Sequence, residues 1–203
     1  KATEGMDTIC PTDIGCYTLG FLPPLSVGDF LICMGSSVGT GCGFSATTDK
    51  KVISFIGDST FFHAGLNGLV NAVFNNHNLT LVILDNGTTA MTGHQPNPGV
   101  DMEALDLAGY GRVSIEKVVQ AVGVEHVSVI YPYKVKKSIS VIKEALAYPG
   151  VSVVISREDC VLFAKGAKKK KTRAFTIGSS CKNRRDCISD LGCPAFFIEG
   201  DRV

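Results

Sequence analysis

Two apolar, β-like runs joined by one helical stretch constrain this chain most. Val52-Ile53-Ser54-Phe55-Ile56 leads into Gly57-Asp58-Ser59-Thr60, and Leu79-Thr80-Leu81-Val82-Ile83-Leu84 leads into Asp85-Asn86-Gly87. Short continuous apolar runs read as buried strands, and residues 61–76 between them read as a helix. Strands joined through a helix are parallel, and such crossovers are almost always right-handed. Asp58 and Asn86 therefore emerge at the carboxyl ends of two strands, the edge where open α/β sheets bind ligands.

The rest of the chain continues the alternation. Strands are expected at 30–34, 51–56, 79–84, 126–131 and 151–155, with helices around Gly39, Gly41 and Gly43, at 114–121 and at 134–147. The glycine run does not have G-x-G-x-x-G spacing, so it reads as a helix packed tightly on the sheet and not as a nicotinamide fingerprint. The stretch from Gly87 to about Met102 is too long for a simple connector. The expected fold class is α/β, a doubly wound, mostly parallel sheet with a short irregular Cys-containing C-terminal tail. Its expected divisions are 1–165, a basic linker at 166–180, and a tail at 181–203.

Composition narrows the setting. At 203 residues there is room for one domain and a short appendage. A formal net charge of +1 gives no global case for nucleic acid or a membrane surface. No apolar run reaches spanning length and no signal peptide opens the chain. Eight scattered cysteines do not make a disulfide framework, so a reducing cytoplasm is the expected location, with Cys33 and Cys42 as buried thiols. A start at Lys1 reads as a fragment or a processed chain.

The paired strand ends suit a hard cation. Mg²⁺ takes oxygen ligands in octahedral array and draws several from phosphate and water. Asp58 offers charge, Asn86 an amide oxygen, and Thr88 a backbone carbonyl; diphosphate oxygens and water complete the set. Gly57 permits close approach of an anion, and the helix opening near Ser59 and Thr60 offers free N–H groups to it. The alternative is structural: Asp58 or Ser59 as a helix cap and Asp85-Asn86-Gly87 as a turn. The paired spacing on consecutive strands favours the cation.

A Gly-Asp-Gly followed some 25 to 30 residues later by Asn is the signature of thiamine diphosphate enzymes, here with Ser59 in third place. The longer runs Gly57–Gly65 and Leu84–Pro96 resemble the large subunit of indolepyruvate:ferredoxin oxidoreductases. So do Asp13-Ile14-Gly15-Cys16-Tyr17-Thr18-Leu19-Gly20 and Ile32-Cys33-Met34-Gly35-Ser36, and the likeness runs from about Cys10 to Lys165. The resemblance implies thiamine diphosphate and Mg²⁺ as cofactors. Cofactor contacts are expected at Gly15, Cys16, Gly35, Ser36, Ser37, Gly57, Asp58, Ser59, Thr60, Asn86, Thr88, Thr89, Ala90 and Met91. The reaction implied is oxidative decarboxylation of a 2-oxoacid, aryl pyruvates by resemblance, with electrons passed to iron–sulfur clusters and ferredoxin and the acyl group to coenzyme A. The family's activating glutamate sits on a pyrimidine-binding domain, so another chain or a removed N-terminal segment must supply it. A small subunit is a further implied partner. A non-oxidative 2-oxoacid decarboxylase subunit is the alternative enzyme, and a non-catalytic scaffold subunit the alternative outside catalysis.

Several residues keep two readings. Cys16 is a cofactor contact or a buried thiol. Met34 or Met91 is the apolar wedge that bends the cofactor, or ordinary core. His63 and His94 are candidate catalytic residues on the substrate side, and His77 and His126 read as surface residues. Thr89, Thr92 and Gln95 are candidate polar lining. The run Lys168–Lys171 is a solvated face or a steering patch for an acidic ferredoxin. Cys181, Cys187 and Cys193-Pro194 resemble a ferredoxin-like tail. Arg184 stands where that pattern has its second cysteine, so the tail is degenerate, truncated, or completed by a cluster-bearing partner.

Overall fold

The computed structural model describes residues 1–100, 109, 111–163 and 181–190. Among them one parallel sheet has the order β1-β2-β3-β5-β4. Its strands are β1 (Thr8–Ile9), β2 (Lys51–Gly57), β3 (Leu79–Asp85), β4 (His126–Ile130) and β5 (Val151–Arg157). The central strands are near-continuous apolar runs because both of their faces are covered. On one face, α1 (Ser36–Thr47), α3 (Leu66–Phe74) and α4 (Ile115–Val122) set Val38, Cys42, Leu69, Ala72 and Val119 against Ile56, Leu81, Ile83 and Ile155. On the other, α5 (Val135–Ala147) sets Ala145 and Leu146 against Ile53, Val82 and Val154. The doubly wound arrangement expected from the sequence is present. The register pairs Gly57 with Leu84 and Asp85 with Arg157, so the carboxyl ends of β2, β3 and β5 lie level.

The first strand differs from the sequence reading. Residues 30–34 form no strand; Phe30 makes a single bridge with Pro11. The edge of β2 is taken by Thr8–Ile9 and, irregularly, by the residues after it: Phe55 N–H donates to the Pro11 carbonyl at 3.0 Å and Asp13 N–H to the Phe55 carbonyl at 3.1 Å. Proline lacks the donor that regular pairing needs. The run at 30–34 is apolar without being buried: Ile32, Cys33 and Met34 are exposed. Cys33 is therefore not a buried thiol, whereas Cys42 is. Met34 is not core either. His77 and His126 are half-buried: the His77 ring lies 2.8 Å from Ser45 Oγ, and His126 packs on Tyr148 with centroids 4.9 Å apart.

The helix after β2 starts earlier than the apolar pattern suggested. It opens at Asp58 as α2 (Asp58–Thr60), widens through a π turn (Phe61–Gly65), and continues as α3. Single π turns inside helices are common at functional sites. Gly35, at φ +89°, packs against this turn, and a Cβ there would come within 2.5 Å of Ala64 Cβ. The boundary at 165 and the linker lie outside the described residues. Of the tail, residues 181–190 hold one short helix, α6 (Asp186–Ser189). Among the described residues no helix is long and apolar enough to cross a membrane.

Helix α1 sits on the sheet as closely as its glycines imply. A Cβ at Gly41 would collide with Ser54 Oγ and lie 2.9 Å from Leu79 Cδ1, whereas one at Gly39 would meet nothing within 4 Å. Gly41→Ala is expected to destabilise the protein by about 1–3 kcal/mol through overpacking. Gly39→Ala is expected to stabilise it by up to about 1 kcal/mol through helix propensity. Urea denaturation of the two variants checks the opposite signs.

Candidate functional site

Asp58 directly follows β2 and begins the helix, and it is only 3% exposed. Its Oδ1 accepts the Ser59 N–H at 2.8 Å and its Oδ2 accepts Asn97 Nδ2–H at 3.1 Å. Among the described residues no Lys, Arg or His pairs with it. Burial pushes its carboxyl up to about 6, against the lowering from those two donors and with a smaller push from the Asp85 charge. A buried carboxylate without a cation is costly, and this one lies at the sheet edge where ligands bind.

Asn86 follows β3 directly. Its Oδ1 accepts the Thr88 N–H at 3.1 Å, which leaves a second lone pair, and its carbonyl accepts the Cys160 N–H at 3.1 Å. Thr88 is buried at 2% exposure. Just before them, Arg157 on β5 pairs with Asp85 at 2.7 Å and with Glu116 on α4 at 2.8 Å. Arg157 holds the Glu116 carboxyl down to about 2. This ion-pair group ties the end of β3, and so Asn86, to its neighbours. Among the described residues no three His, Cys, Asp or Glu side chains cluster as metal ligands. A cation at Asp58 would thus rely on amide, backbone and ligand oxygens, as Mg²⁺ commonly does. The residues fit Mg²⁺ with a diphosphate.

The long segment after Asn86 folds back over the helix start. Thr89 Oγ1 donates to Ser59 Oγ at 3.0 Å, and Asn97 reaches Asp58. Thr92 and Gln95 brace the segment internally, with Gln95 Nε2 donating to the Thr92 carbonyl at 2.7 Å. Ala90 and Met91 lie in a 3₁₀ turn, and Met91 borders a groove of about 870 Å³ that also exposes Gly15, Cys16, Leu19, Leu22 and Phe30. Cys16 is exposed there, so it is not a buried thiol. Neither His63 nor His94 lines this groove. His63 is exposed, with Nδ1 3.2 Å from the Ser59 carbonyl; His94 is half-buried and stacks on Phe163 at 5.7 Å.

Three residues stand out that sequence reasoning gave no role. Asp13 is fully buried and accepts the N–H groups of Gly35 at 2.9 Å and Ser37 at 2.7 Å. Burial raises its pKa, and those two donors oppose the shift. Gly35 and Ser37 thereby direct these N–H groups to the chain itself, and Ser36 Oγ donates to the Cys33 carbonyl at 2.7 Å. Tyr17 Oη accepts the Gly57 N–H at 3.0 Å, fixing the residue before Asp58; burial and the Asp13 charge raise its phenol pKa. Asn97 is the third. One available signal was that the first turn of α1 carries no acidic residue, so its N-terminus had to find its carboxylate elsewhere. Nothing local marks Asn97-Pro98-Gly99 as more than a turn. Of the tail cysteines, Cys181 is exposed and Cys187 half-buried, while Cys193 lies outside the described residues.

The Asp58 environment predicts a pH dependence. Its folded pKa is raised above the ordinary carboxylate value, so the native state holds a proton that the unfolded state releases. Without divalent cation, stability falls as pH rises from about 4 to about 6, by roughly 3 kcal/mol. Glu116, shifted the other way, acts below about 4.5, where its contribution is lost as pH falls toward 2. Denaturation midpoints of wild type and Asp58→Asn across pH 4–7 check this: the fall between 4 and 6 should be clearly smaller in the variant, and what is left has the sign expected of Asp13, whose pKa burial also raises.

Residues 13–156 match the family described as thiamine pyrophosphate enzyme, C-terminal TPP binding domain. The chain is 50% identical over 201 residues to the indolepyruvate oxidoreductase subunit IorA of Methanothermobacter thermautotrophicus, covering 98% of this chain and 32% of the relative. The subunit of the same name from Archaeoglobus fulgidus is 44% identical over 199 residues, covering 97% and 32%. The chain thus spans about a third of the length of these curated relatives. Among solved structures, the 2-oxoglutarate:ferredoxin oxidoreductase of Magnetococcus marinus superposes with a TM-score of 0.67 at 20% identity, over 78% of this chain and 58% of that one. The thiamine diphosphate-dependent 4-hydroxybenzoylformate decarboxylase of Rhodococcus jostii gives 0.56 at 20% identity, over 78% and 31%. The two structural likenesses speak to fold alone. With the match spanning most of the chain and the Asp58–Asn86 edge built as described, this chain belongs to the thiamine pyrophosphate enzymes and carries their C-terminal TPP-binding domain.

Proposed function

We propose that this chain is the thiamine diphosphate- and Mg²⁺-binding part of a 2-oxoacid:ferredoxin oxidoreductase that acts on aryl pyruvates. The observation that carries the reading is a buried Asp58 carboxylate that no Lys, Arg or His among the described residues pairs with, at the end of β2 beside the end of β3 that leads into Asn86, in a chain 50% identical over 201 residues to one IorA subunit. Asp58 and Asn86, with the Thr88 carbonyl, would hold the cation; Gly57, Ser59 and Thr60 would meet the diphosphate. Bound there, thiamine diphosphate supplies the electron sink for loss of carbon dioxide from a 2-oxoacid. The groove beside Cys16 and Met91 is largely apolar in lining and large enough for an aryl side chain, which supports the substrate class. His63 and His94 lie outside that groove, so its lining gives no support to a substrate-side role for them.

The activating glutamate would come from a pyrimidine-binding domain, on a partner chain or elsewhere in the same polypeptide. The curated relatives are about three times as long and have room for such a domain. A small subunit, ferredoxin and coenzyme A complete the proposed assembly, in the cytoplasm. Cys181, Cys187 and Cys193 are proposed as iron–sulfur ligands only if a partner completes the set.

Calorimetric titration of thiamine diphosphate tests the cofactor site. Binding should require Mg²⁺ in wild type and disappear in Asp58→Ala; absence of binding in wild type with its partner present would sink the assignment. In the assembled complex, turnover of indolepyruvate should depend on coenzyme A and an electron acceptor. Decarboxylation indifferent to both would favour a non-oxidative decarboxylase.

A further inference from the structure

We propose that Asn97 is a positioning residue for the cation at Asp58, an inference that rests on the cofactor reading above. Its amide is buried and bridges two groups: Nδ2–H donates to Asp58 Oδ2 at 3.1 Å, and Oδ1 accepts the Gly99 N–H at 2.9 Å. The second bond fixes the first. A backbone N–H can only donate, so it holds the amide oxygen on its own side and turns the NH₂ toward the carboxylate. Asp58 is then gripped from two sides, by Ser59 N–H on Oδ1 and by Asn97 on Oδ2. Its rotation is fixed, and beside these bonds and the weaker Gly87 N–H the carboxylate keeps acceptor capacity for a cation.

The choice of amide matters. A Lys or Arg in the same place would also hold the carboxylate, but its charge would repel Mg²⁺. Asn97 orients Asp58 and leaves its negative charge intact. The turn behind it is built for the contact. A Cβ on Gly99 would lie 2.8 Å from the Phe62 ring and 3.3 Å from Asn97 Oδ1, so only glycine brings its N–H this close without displacing a neighbour. Arg112 Nε donates to the Gly99 carbonyl at 3.0 Å, and Val113 N–H to the Pro98 carbonyl at 2.8 Å, anchoring the turn. The segment after Asn86 therefore returns to the metal carboxylate 39 residues along the chain from it. Partners that orient metal ligands typically contribute 10–100-fold in metal affinity.

The test is a titration of the purified protein, at saturating thiamine diphosphate, with Mn²⁺ followed by the EPR signal of the free ion and Mg²⁺ as competitor. Asn97→Ala should weaken Mn²⁺ binding by about 10–100-fold, and Asp58→Ala should abolish it. Gly99→Ala displaces the amide without removing it, and should give a smaller loss in the same direction; it carries the test if Asn97→Ala does not fold. Folded Asn97→Ala or Gly99→Ala with wild-type affinity, beside a dead Asp58→Ala, overturns this inference and leaves the cofactor reading standing. A merely structural Asn97 would give that result, with only the unfolding midpoint moved. No metal uptake by wild type with its partner present overturns both.

Discussion

The burial of one carboxylate governs this molecule's carboxyl edge. Asp58 is almost wholly removed from water at the end of a central strand, and the described residues give it the N–H groups of Ser59 and Asn97, a weaker contribution from the Gly87 N–H, and no positive charge. Hydrogen bonds from neutral donors offset part of the desolvation cost of a carboxylate and leave the rest. A divalent cation bound there, as proposed, would offset that deficit. That gives a domain of the thiamine pyrophosphate family a physical reason to take up metal and diphosphate together.

The surrounding structure holds this carboxylate in place. Tyr17 fixes Gly57, the residue before it, and Ser59 in the first helical turn is tied to Thr89. The Arg157 pairs with Asp85 and Glu116 fix the strand that delivers Asn86. These are partly buried, hydrogen-bonded contacts, so they fix geometry better than exposed pairs would. Opposite them, Asp13 occupies the turn that leads into α1. The two buried aspartates thus have different work: Asp13 satisfies its own chain's N–H groups, while Asp58 keeps acceptor capacity for a ligand.

Legibility followed the range of the forces involved. Strands β2, β3, β4 and β5 and helices α4 and α5 were readable to within a residue or two, because burial on one or two faces imposes a local apolar period. The strand expected at 30–34 failed because apolarity was taken for burial: Ile32 and Met34 face outward beside the groove. The true edge strand is two residues long and interrupted by Pro11, too short to show a period. The placing of Asp58 and Asn86 just past two adjacent strand ends was legible because strand ends are predictable once strands are. Asn97 was not, since its partner lies 39 residues away and its own neighbourhood reads only as a turn.

By itself the sequence determined the parallel α/β core and the placing of Asp58 and Asn86 at one edge of it. Both follow from local periodicity and the handedness of crossovers. Only the tertiary structure decided how that edge is equipped: which N–H groups Asp13 takes, which oxygen of Asp58 Asn97 holds, and that Cys16 and Met91 share a groove while the two histidines stand outside it. Those outcomes depend on directional contacts between distant segments, and such contacts leave no period in the chain.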